Sequence, residues 1–388
     1  MRILIVTDQY APMVGGVPTV TRALATGLAD RGHAVAVMAP SPDRRGSTGT
    51  DGRARLRYLG SLPWPLYDGM RLASPVGGLR TLTATSPPDV VHIHCPLVLG
   101  AGALLRARQL AIPVVYTNHY LPANVNPALR GRPRVFDDSF YSYVRAFSNR
   151  CTYVTAPSAT ALQLLRGCGL RAPSRVISNG VDARTYSPGR ADEQLRDRYR
   201  LRRDGPLILS VGRLSPEKRV DVLIDAAARL TRPAQLAIAG AGPQEAELRA
   251  RANRLGLARQ VTFLGFVPDA DLPGLYRLAD IFAIASEAEL QSLATLDAMA
   301  TGLPVVAAGA CALTELVQHG SSGFLFRPGR AAELAAYLDM LAGDPDLRCD
   351  MTAAALRAAG AHDRQCTLAE WERLYQFLVS AEHGGRQQ

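Results

Sequence analysis

Twice along this chain, apolar stretches of strand length alternate with longer segments whose apolar residues recur at helical spacing. In the N-terminal half the strand-like stretches are residues 2–7, 34–39, 55–59, 90–94, 114–117, 153–156 and 175–177; in the C-terminal half they are 207–211, 235–239, 261–264, 281–285 and 305–308. A strand that continues into a helix meets the next strand in parallel, through a crossover of one hand. The pattern therefore predicts an α/β chain with two doubly wound, Rossmann-like parallel sheets. Its 388 residues suffice for two such domains of ordinary size. Residues 1–185 and 186–365 are the expected domains, joined by a linker at 186–192. Residues 366–388 are expected to form a C-terminal helix and tail, with the helix crossing back to the first domain.

Composition removes several classes. Hydrophobic residues make up 47% and charged residues 20%, the balance of a folded globular chain. The apolar run 90–105 is interrupted by His92, His94 and Pro96 and does not read as a bilayer span. The opening apolar run meets Asp8 too early for a signal peptide. Six cysteines without C-x-x-C spacing indicate neither a metal cluster nor a disulfide framework, and fit a cytoplasmic protein. Residues 1–185 hold 21 Arg and 9 Asp with no Lys or Glu, a balance of +12, whereas the remainder, with 23 basic and 25 acidic residues, stands at −2. The basic half suits an anionic acceptor, a membrane surface or the steering of a nucleotide, or reflects Arg-rich codon usage. No nucleic-acid partner is read from it.

Chemistry concentrates where strand patterns end. The densest stretch runs over 286–307: Glu287 and Glu289 in a loop, Ser292 as an N-cap residue, a helix carrying Asp297, then Gly302 and Pro304 turning into the next strand. Loop and helix N-terminus aim backbone N–H groups and a positive dipole end at one point, where an anion can sit. After 207–211 come Arg213 and Lys218, the one lysine among 44 basic residues. Gly240 and Gly242 form a turn after 235–239, and Phe266 and Val267 lie in a loop after 261–264. In the first half, Gly15-Gly16 follows the first strand and His119 follows 114–117, at the strand ends where such sheets bind ligands. Gly15-Gly16 lacks the G-x-G-x-x-G dinucleotide fingerprint and is compatible with a plain strand-to-helix turn. His92 and His94, alternating within a strand, read as structural. Two cations, a helix end and flexible glycines form a diphosphate site without metal; Asp269-x-Asp271, before a helix, reads as helix capping.

These motifs together resemble the retaining glycosyltransferases of family four, with the GT-B fold: Gly15-Gly16, His119, residues 178–182, 212–218, 240–243 and 265–268, and Glu289 with Asp297 at the family's E-x7-E spacing. The likeness implies two Rossmann-like domains facing across a cleft, an acceptor-side domain at 1–185 and a nucleotide-sugar domain at 186–365. It implies that Gly15 and Gly16 approach the donor phosphate or sugar, that His119 contacts the donor sugar near its reacting face, and that Arg213 and Lys218 hold the diphosphate. Glu289 would bind sugar hydroxyls, with the backbone of Leu290, Gln291, Ser292 and Leu293 on sugar and phosphate, and Asp297 would meet the ribose. Gly240, Gly242, Phe266 and Val267 complete the implied donor site. No metal and no cofactor is expected; the nucleotide diphosphate sugar, with UDP favoured, is a substrate. Asp297 is one methylene shorter than the family's usual Glu, and Gln291-Ser292 replaces a common Phe-Gly. The expected reaction moves a hexose or amino-hexose to a hydroxyl of a small polar acceptor, of the aminocyclitol or aminoglycoside kind made in antibiotic biosynthesis. The alternatives are a diacylglycerol or other lipid acceptor, with peripheral contact at the inner membrane face through the basic half, and, more remotely, a sugar epimerase or nucleotide-sugar binder.

Overall fold

The computed structural model describes residues 1–64, 70–74, 87–120 and 135–385. The chain forms two compact units, Met1–Asn179 with Gln365–Gln388, and Gly180–Arg364. Residues 180–185 fall with the second unit because Val181 donates to His362 O at 2.8 Å and bridges to Asp363.

In the first unit the strands are β1 (Arg2–Val6), β2 (Ala34–Pro40), β3 (Ser47–Asp51), β4 (Ala54–Leu59), β5 (Ser61–Pro63), β6 (Arg71–Ala73), β7 (Val90–Ile93), β8 (Val114–Thr117), β9 (Tyr153–Ala156) and β10 (Ser174–Val176). The main sheet runs β10-β9-β8-β7-β1-β2-β4-β3, parallel except for β3, and β5 pairs with β6 in a small antiparallel ribbon. Helices cover both faces, so the central strands are buried throughout and read as continuous apolar runs. Successive side chains alternate between two cores. Leu4, Val6, Val91, Ile93 and Tyr116 pack with Leu99, Ala103 and Phe147 on one face. On the other, Ile3, Ile5, Val90 and Val115 meet Leu24 and Leu28 of the helix Gly16–Asp30. The same core takes in Leu368, Trp371, Leu374 and Tyr375 of the C-terminal helix Arg364–Gly385. That helix begins two residues before the expected 366–388 segment.

The second unit has β11 (Leu207–Val211), β12 (Gln235–Ala239), β13 (Val261–Gly265), β14 (Ile281–Ile284), β15 (Val305–Ala308) and β16 (Gly323–Phe326), all parallel in the order β13-β12-β11-β14-β15-β16. Each expected strand of this half is present. β16 is an addition that the pattern reading missed: it is four residues long and opens on glycine. A Cβ on Gly323 would stand 1.9 Å from Val305 O, so the edge strand closes only on glycine. β3 and the short ribbon of β5 and β6 are further additions. Residues 40–52 are polar and carry no strand-like apolar run, and Ser47 to Thr50 are exposed. The backbone ladder to β4 makes the strand, and Asp51 fixes its end by accepting from Arg22 at 2.7 Å and Tyr10 at 3.2 Å.

Candidate active site

At the C-terminal edge of the second sheet, the loop after β11 anchors the loop after β14. The one-turn 3₁₀ helix Pro216–Lys218 follows Gly212–Leu214, and Glu217 in it is buried. Glu217 O accepts from the Glu287 N–H at 3.2 Å and from Ser286 Oγ at 3.3 Å, which ties the acidic loop to the turn. Ser215 Oγ donates to the Glu217 carboxylate. With the loops so fixed, Lys218 Nζ reaches Glu289 Oε1 at 2.6 Å, across 71 positions of sequence. Next door, Arg219 pairs with Glu287 and Asp221. On its other side Glu289 is held by its carbonyl, which accepts from Ala312 N–H at 3.1 Å. Arg213 lies exposed beyond the end of β11. The helix Leu293–Ala300 begins where the sequence indicates: Ser292 Oγ accepts from the Thr295 N–H at 3.2 Å, and Leu290, Gln291 and Ser292 are buried before it.

The glycines separate into two kinds. Gly240 has φ 138° and an added Cβ would lie 1.9 Å from Gly212 O; at Gly242 it would lie 2.4 Å from Leu214 O. Packing of the β12 loop on the β11 loop therefore demands both, whatever binds there. An added Cβ on Gly15 would meet only Pro18 Cδ at 3.7 Å, and on Gly16 nothing within 4 Å. The fold does not require those two, and they keep space open at the N-terminus of the 15-residue helix Gly16–Asp30. Phe266 follows Gly265 (φ 68°) and is 59% exposed, an apolar ring held out at the surface, whereas the Val267 side chain belongs to the core.

Asp297 keeps some surface, yet enough of the unit encloses it that desolvation pushes its pKa up to about 8; Arg364 pulls it down, and Asp182 and Asp269 push it further up. At neutral pH it is mainly a carboxylic acid and can donate a hydrogen bond. The folded pKa lies above the ordinary 3.8, so between about pH 4 and 8 the folded chain holds a proton that the unfolded chain releases. Stability from this group is complete at low pH and is lost as pH rises through 8. Asp297→Asn is therefore expected to flatten the fall in Tm between about pH 4 and 8; parallel Tm curves for variant and parent would refute the assignment.

Asp271 differs from expectation. It sits at the N-cap of the helix Leu272–Leu278, but no side-chain capping bond forms. Its carboxylate instead accepts from Tyr199 Oη at 2.7 Å and from Arg198 at 3.0 Å, two residues at the end of the distant helix Glu193–Arg198 that compete successfully for it. No group of three or more His, Cys, Asp or Glu that could hold a metal ion occurs among the described residues.

In the first unit, β8 ends in Thr117 and the half-buried His119 follows. Burial pushes the His119 imidazole down to about 4, so it is neutral at pH 7. Its Nε2 lies 2.9 Å from His94 Nδ1. Sequence reading set His92 and His94 aside; their period-two spacing at the end of β7 was the signal that places them beside His119. Asp8 was also passed over except as a break in an apolar run. It is 3% exposed, neither carboxylate oxygen makes a well-formed hydrogen bond, and burial pushes it up to about 7, opposed by the Leu99 backbone. Beside it Cys95 Sγ contacts Tyr120 Oη at 2.6 Å. The structure thus brings together Lys218 with Glu289 and Gly240 and Gly242 with the β11 loop. Asp297 answers to another set of charges, Arg364, Asp182 and Asp269.

Comparison with known proteins gives two family matches: "Glycosyltransferase Family 4" over residues 14–185 and "Glycosyl transferases group 1" over residues 191–357. The D-inositol 3-phosphate glycosyltransferase of Frankia alni is 36% identical over 293 residues, 70% of each chain. The alpha-monoglucosyldiacylglycerol synthase of Streptococcus pneumoniae is 28% identical over 358 residues, 89% of this chain and 80% of that one. Among solved structures, sucrose-phosphate synthase from Thermosynechococcus elongatus superposes with a TM-score of 0.83 at 20% identity, covering 98% of this chain and 99% of that one. Anabaena HepE in complex with UDP and glucose gives 0.79 at 23%, covering 97% and 99%.

Proposed function

Because this chain belongs to glycosyltransferase family 4, whose GT-B members are metal-independent hexosyltransferases using nucleotide-sugar donors, we propose that it moves a hexose from a UDP-sugar, with retention, to a hydroxyl of a small polar acceptor of the cyclitol kind. One observation carries the donor half of this reading: the ion pair of Lys218 with Glu289 at the mouth of a serine-capped helix. With donor bound, Lys218 and Arg213 would face the diphosphate, while Glu289 and the 290–293 backbone would face the sugar. Gly15, Gly16 and His119 would meet the donor from the first unit, Phe266 and Val267 would take the base, and Asp297 the ribose. Leaving-group charge is largest in the transition state, so cations and amides aimed at it accelerate the reaction more than they tighten the resting complex.

The acceptor reading draws on the relative named for D-inositol 3-phosphate, a cyclitol bearing negative charge, and on the +12 of residues 1–185. An anionic cyclitol fits that half better than a polyamine-like aminocyclitol would, since a cation is repelled by it. The same positive half favours a second reading, a lipid acceptor at an anionic membrane surface, in line with the relative named for a diacylglycerol product. No helix among the described residues is long and apolar enough to cross a membrane, and contact through the basic half would be peripheral.

A panel of UDP- and GDP-hexoses, each offered with cyclitol phosphates, aminocyclitols or diacylglycerol vesicles and read by mass spectrometry, tests both halves. A UDP-hexose with a cyclitol phosphate is the expected productive pair; product only on vesicles would transfer the conclusion to the lipid reading, and nucleotide-sugar conversion without acceptor would point to an epimerase. Turnover is expected to persist in excess EDTA, since side-chain and backbone groups supply the positive charge; activity that vanishes and returns with Mg²⁺ or Mn²⁺ would refute this.

A further inference from the structure

β7 and β8 pair in register, His92 opposite Val115, so His92 and Thr117 share one face of the sheet, and His94 and His119, just past the strand ends, stack beside them with His92 and His94 ring centroids 4.1 Å apart. That face packs on the C-terminal helix, where His92 lies against Trp371 with ring centroids 4.6 Å apart. Both nitrogens of His92 are engaged: Nδ1 with Tyr375 Oη and Nε2 with Thr117 Oγ1, each at 2.7 Å. His94 is engaged on one side only. Its Nδ1 lies 2.9 Å from His119 Nε2, with the two rings within 10° of parallel. Its Nε2 is fully buried and has no hydrogen-bond partner.

Burial keeps both rings neutral, so each carries one proton. If His119 donated in the contact, His94 would hold its proton on Nε2, and a buried N–H would lack an acceptor. If His94 donates, its Nε2 is a bare lone pair. Orphaned buried donors are the rarer of the two defects, so the second arrangement is favoured. The proton of His119 is then on Nδ1, the nitrogen turned away from His94. We infer that His94 is a positioning residue that fixes His119 as the Nδ1–H tautomer, so that His119 offers the donor sugar an N–H rather than a lone pair. The inference rests on the reading that His119 faces the donor sugar. It assigns that contact a direction: a sugar oxygen accepts, and its own hydroxyl proton remains free to donate elsewhere.

The test is long-range ¹H–¹⁵N correlation on the full chain labelled with ¹⁵N-histidine at pH 7, with the His119 signals identified by their loss in His119→Gln. A protonated, pyrrole-type Nδ1 and a bare, pyridine-type Nε2 on His119 is the expected pattern. The reverse pattern, or an imidazolium, would overturn the inference. This readout needs no turnover, so it fails or stands independently of the proposed reaction. In His94→Phe, His119 is expected to become a mixture of tautomers and kcat to fall about tenfold, the worth of one hydrogen bond, with UDP affinity unchanged. His94→Gln, whose amide can donate, is expected to recover part of both. A His119 spectrum unaltered by His94→Phe would also overturn the inference; if that variant does not fold, the spectrum of the parent decides alone.

Discussion

Lys218→Met is expected to lower kcat/KM by about a hundredfold or more, near 3 kcal/mol of transition-state stabilisation. The substitution keeps the stem and removes the charge. In the resting structure that charge sits 2.6 Å from Glu289, whose side chain is only 10% exposed. Removing the cation therefore has a second effect, on the fold, because the carboxylate loses this partner in a partly desolvated place. The double variant Lys218→Met/Glu289→Gln separates the two: it should regain Tm but not kcat/KM. Lys218→Arg should rescue in part, since a planar guanidinium does not replace a compact ammonium. Lys218 is the one lysine in the chain, so acylation by an amine reagent reports on it and the N-terminus alone. Nucleoside diphosphate should protect it, and the free nucleoside should not. Full activity of Lys218→Met, or equal protection by the nucleoside, would remove the diphosphate role.

His119→Ala is the second large effect. If the ring meets the donor sugar as charge develops, kcat should fall by about one to two orders of magnitude while the Kd for nucleoside diphosphate changes little. The imidazole is already neutral at pH 7, with burial holding it down to about 4. Its loss should therefore leave the neutral limb of the pH profile in the same shape. An equal loss in kcat and in nucleotide affinity would indicate collapse of the strand end instead. Because His119 contacts His94, the variant should be checked by Tm before its kinetics are interpreted.

Most of the architecture was legible because parallel strands buried on both faces are written as uninterrupted apolar runs. β1, β7 and β14 are of that kind, and the reading found each within a residue or two. β3 and β16 escaped because their cause lies elsewhere: a ladder to β4 ended by Asp51, and a glycine that admits Val305 O. The helix start at Ser292 was legible from side-chain chemistry and is realised as an N-cap. Asp271 looked alike in sequence and was not, because Tyr199 and Arg198 reach its carboxylate. Burial of carboxylates is similarly hidden in a string of letters. Asp8 and Asp297 resemble any other Asp until the chain closes around them and raises both. The role of Gly240 and Gly242 in loop packing was also out of reach, since it depends on how closely two loops distant in sequence approach.

The discontinuity of the first unit sets a timetable for biosynthesis. Residues 180–364 leave the ribosome as one uninterrupted block and contain their whole sheet, so that unit can complete its core while translation continues. The first unit cannot. Its sheet is finished by residue 176, yet Ile3, Val90 and Val115 lack Leu368, Trp371 and Tyr375 until the last segment is made. For the time taken to translate the intervening half of the gene, an apolar sheet face awaits its covering helix. The nascent first unit is thus exposed to chaperones and proteases throughout that interval, and a premature stop between codons 364 and 368 would strand it unfinished while sparing a completed second unit.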